Sequence, residues 1–220
     1  MIKLDLHMHS WFSFDSLNDP DKMALTVRKK GLDGFAVTDH NVLQVDFEGL
    51  QKKNKDLIII PGIEIWTEIG DILIYFPWKI GNVSHNTREI LENAKKHGSI
   101  AVLAHPYTRR NEEYPDEIIE MLDGIETDNS HNYANHNRCL QLARKSGKPC
   151  FGGSDAHFLH EIGNGTTSVD IDRENAFDKD AFKKAILKTA SPSSVQSSDI
   201  SFYGSQFIKY ARKLKILSRK

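Results

Sequence analysis

Histidines and acidic residues recur directly after short apolar runs along this chain, and those runs are rich in β-branched residues. Runs of this length and composition predict buried β-strands. His7 and His9 follow the run at 2–6 and, being two positions apart, point to the same side of an extended strand. The carboxyl ends of the strands of a parallel barrel meet around one mouth. Clusters that are distant in sequence can therefore converge there.

Helical periodicity fills the segments between the apolar runs, and this alternation is typical of an α/β fold built from strand and helix units. Gly31, Gly98 and Gly147 mark helix ends. We predict strands at 2–6, 34–38, 57–63, 99–104, 124–127, 149–153 and 166–169, and an added strand at 72–76. The predicted helices lie at 20–30, 43–54, 87–97, 115–122, 135–146 and 176–188. Roughly seven such units predict a barrel somewhat smaller than the usual eight-unit one.

Length and composition fit a single domain, since the chain has 220 residues of which 39% are hydrophobic and 27% charged. A formal net charge of -1 gives no overall attraction for nucleic acid. The sequence shows no secretion signal and no apolar run near the roughly 20 residues that span a bilayer. We expect a cytoplasmic protein without a membrane span. Cys139 and Cys150 lie in no redox or metal-binding pattern, so we expect two reduced thiols.

Five predicted strand ends carry histidine or carboxylate groups, whereas a structural histidine normally occurs singly. Imidazole and carboxylate groups together suit Mn, Zn or Fe better than Ca or Mg alone. We therefore expect a site for several divalent metal ions. The motifs are His7-Met8-His9-Ser10, Thr38-Asp39-His40, Pro61-Gly62-Ile63-Glu64, Ala104-His105-Pro106 and Gly153-Ser154-Asp155-Ala156-His157.

In type and order these motifs, together with Asp15, resemble those of the polymerase and histidinol phosphatase (PHP) family over about residues 1–190. The resemblance implies a distorted (β/α)7 TIM-like barrel with two or three metal ions at the C-terminal ends of the strands. It also implies phosphoesterase activity, which most stand-alone members have. By the same resemblance, one ion would be held by His7, His9, Glu64 and Asp155, and a third ion by Asp15, His40 and His157.

A second ion would share Glu64, take His105, and need one further ligand from the strand that ends near residue 128. Here the chain departs from the family pattern, in which many members place a histidine shortly after a Gly-Ile-Glu strand. This chain offers Asn129 and His131 instead. Either could complete the site. If neither does, the second ion is weak or absent.

Other residues near the motifs are candidates for indirect or substrate-binding roles. Asp39 is expected to orient a ligand histidine from outside the metal site, and Asp71 to have a surface role or a similar indirect one. Arg109 or Arg110 could clamp a phosphate with its guanidinium group, although solvent-facing arginines are equally compatible with the pattern. Ser10 could donate to a phosphate oxygen or make a local turn hydrogen bond.

The expected activity is metal-dependent hydrolysis of a phosphate ester, a small phosphorylated metabolite or nucleotide, by a metal-bridged hydroxide. Asp155, Glu64 and His157 are the expected catalytic residues. An exonuclease acting on short RNA or single-stranded DNA is the alternative within hydrolases. A non-catalytic module that binds metal or phosphate is the alternative of another class. An amidohydrolase ranks lower, because no lysine ends a strand to bridge two ions and Glu64 occupies that position.

The last thirty residues differ in character from the rest. Residues 191–201 are polar and turn-forming, so we expect the barrel to occupy residues 1–190 and a linker with a basic amphipathic helix to occupy 191–220. Six basic and no acidic residues follow Asp199. Docking of the helix on the barrel, guidance of nucleic acid and contact with a membrane surface all remain open. The expected apolar stripe is Phe202, Phe207, Tyr210, Ala211, Leu214 and Leu217.

Overall fold

The computed structural model describes residues 1–79, 83–197 and 199–214, without the side chains of residues 199, 200 and 202. Nine strands form a single sheet in this part of the chain. The strands are β1 Ile2–Asp5, β2 Gly34–Val37, β3 Ile58–Thr67, β4 Gly70–Tyr75, β5 Ile100–Leu103, β6 Gly124–Asn129, β7 Cys150–Gly153, β8 Gly165–Val169 and β9 Ser191–Ser194. The helices are α1 Pro20–Lys29, α2 Phe47–Lys53, α3 Thr87–His97, α4 Asp116–Met121, α5 His136–Ser146, α6 Lys179–Thr189 and α7 Asp199–Lys213.

The strand order is β7-β6-β5-β4-β3-β2-β1-β8-β9, which nearly closes into a barrel and confirms the predicted fold. The β8 and β7 strands approach each other where Thr167 Oγ1 accepts the Gly152 N–H and donates to the Gly152 carbonyl, both at 2.8 Å. A Cβ on Gly165 would overlap the carbonyl oxygen of Gly153. Glycine is therefore required at this seam, because two backbones meet there.

Two strands run against the parallel direction. A tight hairpin joins β3 to β4, with Thr67 opposite Gly70, so β4 returns antiparallel between β3 and β5. The predicted strand at 166–169 is present as β8, but it pairs antiparallel with β1. Between β7 and β8 there is one short 3₁₀ turn, Leu159–Glu161. A parallel return needs a longer crossover than this.

Helix ends follow the predicted signals. The Asn86 side chain accepts the Glu89 N–H at 3.0 Å and so caps the start of α3. Gly98 ends the same helix in the left-handed conformation with φ 62°, and Gly147 does so for α5 with φ 65°. The buried residues of α3, among them Ile90 and Leu91, pack against the sheet.

An apolar layer fills the barrel interior below its mouth. Tyr75 of β4 donates from its hydroxyl to the Leu6 carbonyl at 3.0 Å and stacks against Phe151 of β7, with ring centroids 6.2 Å apart. These contacts join strands that are not neighbours in the sheet, so the Tyr75 ring lies inside the barrel. Leu6 directly precedes His7. The polar side chains at the strand ends therefore rest on a close-packed layer.

The C-terminal residues differ from the expectation in two ways. Ser191–Ser194, within the predicted linker, pair with β8 as β9. Helix α7 is present, but of the predicted apolar stripe Ala211 is buried whereas Phe207 and Tyr210 are 70% and 60% exposed. Small and medium-sized residues face the barrel instead, because they allow a close approach of the helix; these are Ser201, Ser205, Ile208 and Ala211. Leu217, the basic residues at 215, 219 and 220 and the Phe202 side chain lie outside the described part.

None of the helices that the structure describes is long and apolar enough to cross a membrane.

Candidate metal centre

Glu64 lies at the centre of the residues that the strand ends bring together. Its Oε2 is 2.7 Å from His40 Nδ1 and 3.5 Å from the Nε2 atoms of both His7 and His9. Its Oε1 is 2.9 Å from His105 Nε2. The Glu64 side chain is fully buried. The structure thus gathers side chains from β3 and from the ends of β1, β2 and β5 around one carboxylate.

Two further carboxylates complete this assembly. Asp155 Oδ1 lies 3.0 Å from His9 Nε2 and 3.5 Å from His7 Nε2. Asp15 Oδ2 lies 3.2 Å from His40 Nε2 and 3.3 Å from His157 Nε2. Potential donor atoms within 4.8 Å of one another occur in four groups of described residues: His7-His9-Glu64, His7-His105-Asp155, His9-His40-His157 and Glu64-Asp71-His105.

The chemistry of these atoms fits bound cations. Four buried atoms in the cluster make no hydrogen bond of acceptable geometry within the described residues, although some lie close to one another: His7 Nε2, Asp15 Oδ1, His40 Nδ1 and Glu64 Oε2. A buried polar atom without a partner costs about 1–3 kcal/mol, so such atoms are rare in folded proteins. Lone pairs of imidazole and carboxylate that face one another are the donor set of Zn, Mn and Fe. The residues therefore suit a group of divalent ions.

Electrostatics in the cluster favour positive charge. Burial disfavours the charged form of His105, but its hydrogen bond to Glu64 and the Glu64 charge outweigh burial and raise the pKa of His105 to about 9. Burial likewise disfavours the charged form of His157, but the Asp15 charge and the hydrogen bond to Asp15 outweigh burial and raise the pKa of His157 to about 9. Burial opposes ionisation of Glu64, yet facing imidazoles, His40 first, hold its pKa well below the usual range. Without metal, protons on His105 and His157 supply this positive charge, whereas burial and the neighbouring His40 lower the pKa of His9 to about 3.

The two candidates for the remaining ligand of the second ion are both engaged elsewhere. His131 Nε2 lies 2.9 Å from Glu161 Oε1. Asn129 Oδ1 accepts the N–H groups of His131 and Asn132 at 2.8 and 3.1 Å, and its Nδ2 donates to Glu126 Oε2 at 3.1 Å. Among the described residues, His131 belongs to none of the potential ligand groups of histidine and carboxylate.

Asp71 of β4 is a further carboxylate beside His105. It is 4% exposed, its Oδ2 is 3.8 Å from His105 Nε2, and it forms a potential ligand group with Glu64 and His105. Of the two expected roles, burial contradicts the surface role, and the indirect one stays a prediction. The β3–β4 hairpin explains the position, because Leu73 pairs with Glu64 and Asp71, two residues earlier, is on the same face. Reading the hairpin register from the sequence would have revealed it.

Glu126 is a buried carboxylate that the sequence reasoning did not single out. Its Oε1 lies 3.0 Å from His7 Nδ1, and its Oε2 accepts the backbone N–H of His105 at 2.7 Å. When the His7 Nδ1–H donates to the Glu126 carboxylate, the Nε2 lone pair of His7 faces Glu64 and Asp155. Carboxylates commonly fix the tautomer and the orientation of metal-binding histidines in this way.

Asp39 was expected to orient a ligand histidine, and in the structure a serine lies between Asp39 and the histidine. It accepts the backbone N–H and the hydroxyl of Ser10, both at 2.6 Å, and the Ser13 hydroxyl at 2.9 Å. Ser13 Oγ in turn lies 3.2 Å from His9 Nδ1. Asp39 therefore positions His9 through Ser13. The Ser10 hydroxyl is buried against Asp39 and does not line the cavity described next.

A cavity of about 490 Å³ opens onto the cluster. Arg109 lines it, with Nη1 3.2 Å from Asp71 Oδ2 and the guanidinium carbon 5.9 Å from the centroid of the Trp66 ring. Arg110 is directed elsewhere, toward the Glu112 side chain and the Tyr114 ring. The other lining residues include Asp15, His40, His105, His131, Asp155 and His157 from the strand ends and Ser205, Gln206 and Lys209 from α7.

Two of the candidate ligands have a left-handed backbone conformation, which side chains other than glycine adopt with strain. The φ angle is 26° at His105 and 55° at Asp155. Hydrogen bonds hold both positions: the His105 N–H donates to Glu126, and the Asp155 N–H donates to the His7 carbonyl at 2.7 Å. Backbone strain of this kind is concentrated at functional sites.

Comparisons with known proteins identify sequence relatives of this chain. A family described as PHP-associated matches residues 134–190. An uncharacterized protein of Methanocaldococcus jannaschii is 30% identical over 143 residues, which cover 59% of this chain and 83% of that protein. A protein of Caldicellulosiruptor bescii named probable phosphatase is 25% identical over 201 residues, covering 74% of this chain and 82% of that protein.

Among solved structures, similarity extends over nearly the whole chain. A two-domain protein from Bacteroides vulgatus, described as containing a predicted PHP-like metal-dependent phosphoesterase, has a TM-score of 0.72 at 19% identity. The match covers 94% of this chain and 69% of that one. With the sequence relatives, the fold and the order of the motifs taken together, the chain belongs to the PHP family.

Proposed function

We propose that the protein hydrolyses a phosphate ester with two or three divalent ions, Mn, Zn or Fe, held at the barrel mouth. The observation that carries this proposal is the position of Glu64, whose carboxylate lies within 3.5 Å of imidazole nitrogens from four histidines. One carboxylate among four imidazoles can be shared by adjacent ions.

The ligands divide into three sets, of which the first two share Glu64. One ion would take His7, His9, Glu64 and Asp155, as the family resemblance implies. A second would take Glu64 and His105 with Asp71, which replaces His131 or Asn129 in our assignment because of its position. A third would take Asp15, His40 and His157, because Asp15 Oδ2 lies 3.2 Å from His40 Nε2 and 3.3 Å from His157 Nε2.

Bound divalent ions would lower the pKa of a coordinated water and neutralise charge on the phosphoryl group. The protein's own contribution is to hold these groups in place. Glu64 and Asp155 supply the negative charge that retains the ions, and His157 is held by its Nδ1 contact, 2.8 Å, with the Asp155 carbonyl. Phe14 and Trp66, whose rings meet edge to face at 5.2 Å, exclude water on one side of His40.

The size of the cavity favours a small substrate. Ligand-binding pockets typically enclose about 300–1,000 Å³, and the cavity here encloses about 490 Å³. The named relative from Caldicellulosiruptor bescii, a probable phosphatase, also supports a phosphomonoester. We therefore favour a phosphorylated metabolite or a nucleotide over an oligonucleotide.

A panel of phosphate monoesters and short oligonucleotides tests the proposal. We expect manganese-dependent release of inorganic phosphate from at least one monoester and loss of activity on chelation. Asp155→Asn should abolish the activity, whereas Asp180→Asn, an exposed carboxylate on α6, should retain it. The ion content should be at least two per chain after loading. An inactive protein that holds fewer ions would instead indicate a binding module, and oligonucleotide cleavage alone would indicate the exonuclease.

A further inference from the structure

Helix α7 supplies one wall of the cavity above the metal cluster. Ser205, Gln206 and Lys209 line the same space as the candidate ligands His40, His105 and His157, although α7 lies outside the barrel sequence motifs. The cavity is therefore shaped by a segment that carries none of the candidate metal ligands. Such a segment can select the substrate without taking part in metal binding.

Several contacts fix the position of α7. Ser201 Oγ lies 2.9 Å from His160 Nε2, in the loop that follows the last metal motif. Gly204 packs against the Phe158 ring so closely that a Cβ would lie 2.8 Å from the ring carbon Cζ. Ile208 is buried on the same side of the helix. These contacts dock the helix on the loop after β7.

The C-terminal half of α7 is attached to the loop after β1. Arg212 donates to the Ser13 carbonyl and, at 3.3 Å, to the Trp11 carbonyl. Ser13 is the residue that also contacts His9 Nδ1. The helix is thus docked on two of the loops that carry candidate ligands, which sets where its cavity-lining side chains lie relative to the cluster.

Lys209 extends from α7 to the rim of the cavity. Its Nζ is 5.1 Å from the centroid of the Phe14 ring, and this ring stacks on His40 with centroids 5.0 Å apart. The ammonium group therefore lies one aromatic ring away from a candidate metal ligand. It is exposed, so it meets solvent when no ligand is present.

The two cations that line the cavity differ in their partners. Arg109 pairs with the buried carboxylate of Asp71, which offsets its charge. Among the described residues, no carboxylate lies within 4.0 Å of the Lys209 ammonium group. Its cation–π contact is with the Phe14 ring. Lys209 is thus the cation at this rim whose charge is available to a ligand.

We propose that Lys209 binds a second anionic group, a carboxylate or a phosphate, on the leaving-group portion of the substrate. This inference rests on the proposed function, because it assumes that the reacting phosphoryl group contacts ions held around Glu64. With that group at the cluster, the rest of the substrate extends past Phe14 and Trp66 to the rim, where Lys209 lies. The protein then prefers phosphate esters whose leaving group is itself anionic.

A pair of non-hydrolysable probes tests this without relying on turnover. We would measure by calorimetry the binding of phenylphosphonate and 4-carboxyphenylphosphonate to the manganese-loaded protein. The wild type should bind the carboxylate-bearing probe about tenfold more tightly, as expected for one charge-assisted contact. In Lys209→Met the ratio of the two affinities should fall to about one. Lys209→Arg should keep the preference.

Lys213→Met is the matched control, since Lys213 is an exposed lysine of the same helix that does not line the cavity. It should leave the ratio unchanged. The role of Lys209 would be overturned if the ratio of the two affinities were the same in the wild type and Lys209→Met. It would also be overturned if neither probe bound to the wild type. A Lys209-dependent preference in a protein that hydrolyses no phosphate ester would retain this inference and overturn the proposed activity.

Discussion

Replacement of Glu126 by glutamine should weaken metal binding although Glu126 is not itself among the proposed ligands. The two carboxylate oxygens face three donors: His7 Nδ1, the His105 N–H and the Asn129 Nδ2–H. Glutamine has one acceptor and one donor in the same space. Its oxygen would face His105 and Asn129, since the opposite orientation would set an NH₂ group against two donors.

The amide nitrogen would then face His7 Nδ1 and require a lone pair there. The His7 proton would move to Nε2, the atom that lies 3.5 Å from both Glu64 and Asp155. A protonated Nε2 cannot bind a cation. A hydrogen bond to a charged group contributes about 1.5–3 kcal/mol, and about 1.4 kcal/mol corresponds to a factor of ten. We therefore expect manganese affinity about 10- to 100-fold lower, the usual range for carboxylates that orient ligands.

Titration calorimetry with manganese measures this effect, and thermal melting with and without the metal provides a second readout, because a ligand of the folded state raises Tm. Glu117→Gln is the control, since Glu117 is 69% exposed and pairs with Arg88 on the surface. Unchanged manganese affinity in Glu126→Gln, in a variant that melts as cooperatively as the wild type, would refute the tautomer argument.

Three other changes test the fold and the charge of the site. Gly165→Ala should prevent accumulation of folded protein, because its Cβ overlaps a β7 carbonyl. Gly31→Ala, with open space around it and φ 69°, should lower the free energy of unfolding by only about 1 kcal/mol. Urea denaturation separates the two variants, and an equal loss of stability in both would contradict the close approach of β7 and β8 at Gly165. Phe182→Ala should lower the free energy of unfolding by about 3–5 kcal/mol in the same assay, since Phe182 is 2% exposed. Phe177→Ala, at 47% exposure, should lower it far less. A similar decrease in both variants would show that Phe182 does not lie in the core. Manganese binding should release protons and strengthen as pH rises from 6 to 9. Burial disfavours the charged form of His105, but Glu64 outweighs burial and raises the pKa of His105 to about 9, and only the neutral imidazole binds metal. An affinity that does not change with pH would show that protons do not occupy the site.

The sequence predicted the parts of the molecule whose signals are local. Apolar runs gave the strands, glycines such as Gly98 and Gly147 gave helix ends, and spacing within each motif placed His7 beside His9. The direction of β8 was missed because an apolar run reads the same for a parallel and an antiparallel neighbour. The exposed side of α7 was missed because Phe207 and Tyr210 follow helical spacing whichever face meets the barrel.

Within the site, the residues that the sequence reasoning overlooked are those whose positions depend on pairing between strands. Asp71 reaches the cluster through the β3–β4 register, and Glu126 through its place on β6, next to the backbone of His105. Asn129 and His131 are candidates by sequence distance, but in the folded chain Asn129 Oδ1 accepts two backbone N–H groups and His131 Nε2 faces Glu161. Ligand identity at the second ion therefore depends on tertiary contacts.

The strained backbone at His105 and Asp155 has a consequence for how ions enter. Each residue is held in place by a main-chain hydrogen bond formed when the barrel folds. The penalty of the unusual φ angle is therefore met before any metal arrives, by the free energy of folding. Capture of an ion then demands little rearrangement of these two loops, and competition between different metals should be decided by ionic size and by the protons that must leave.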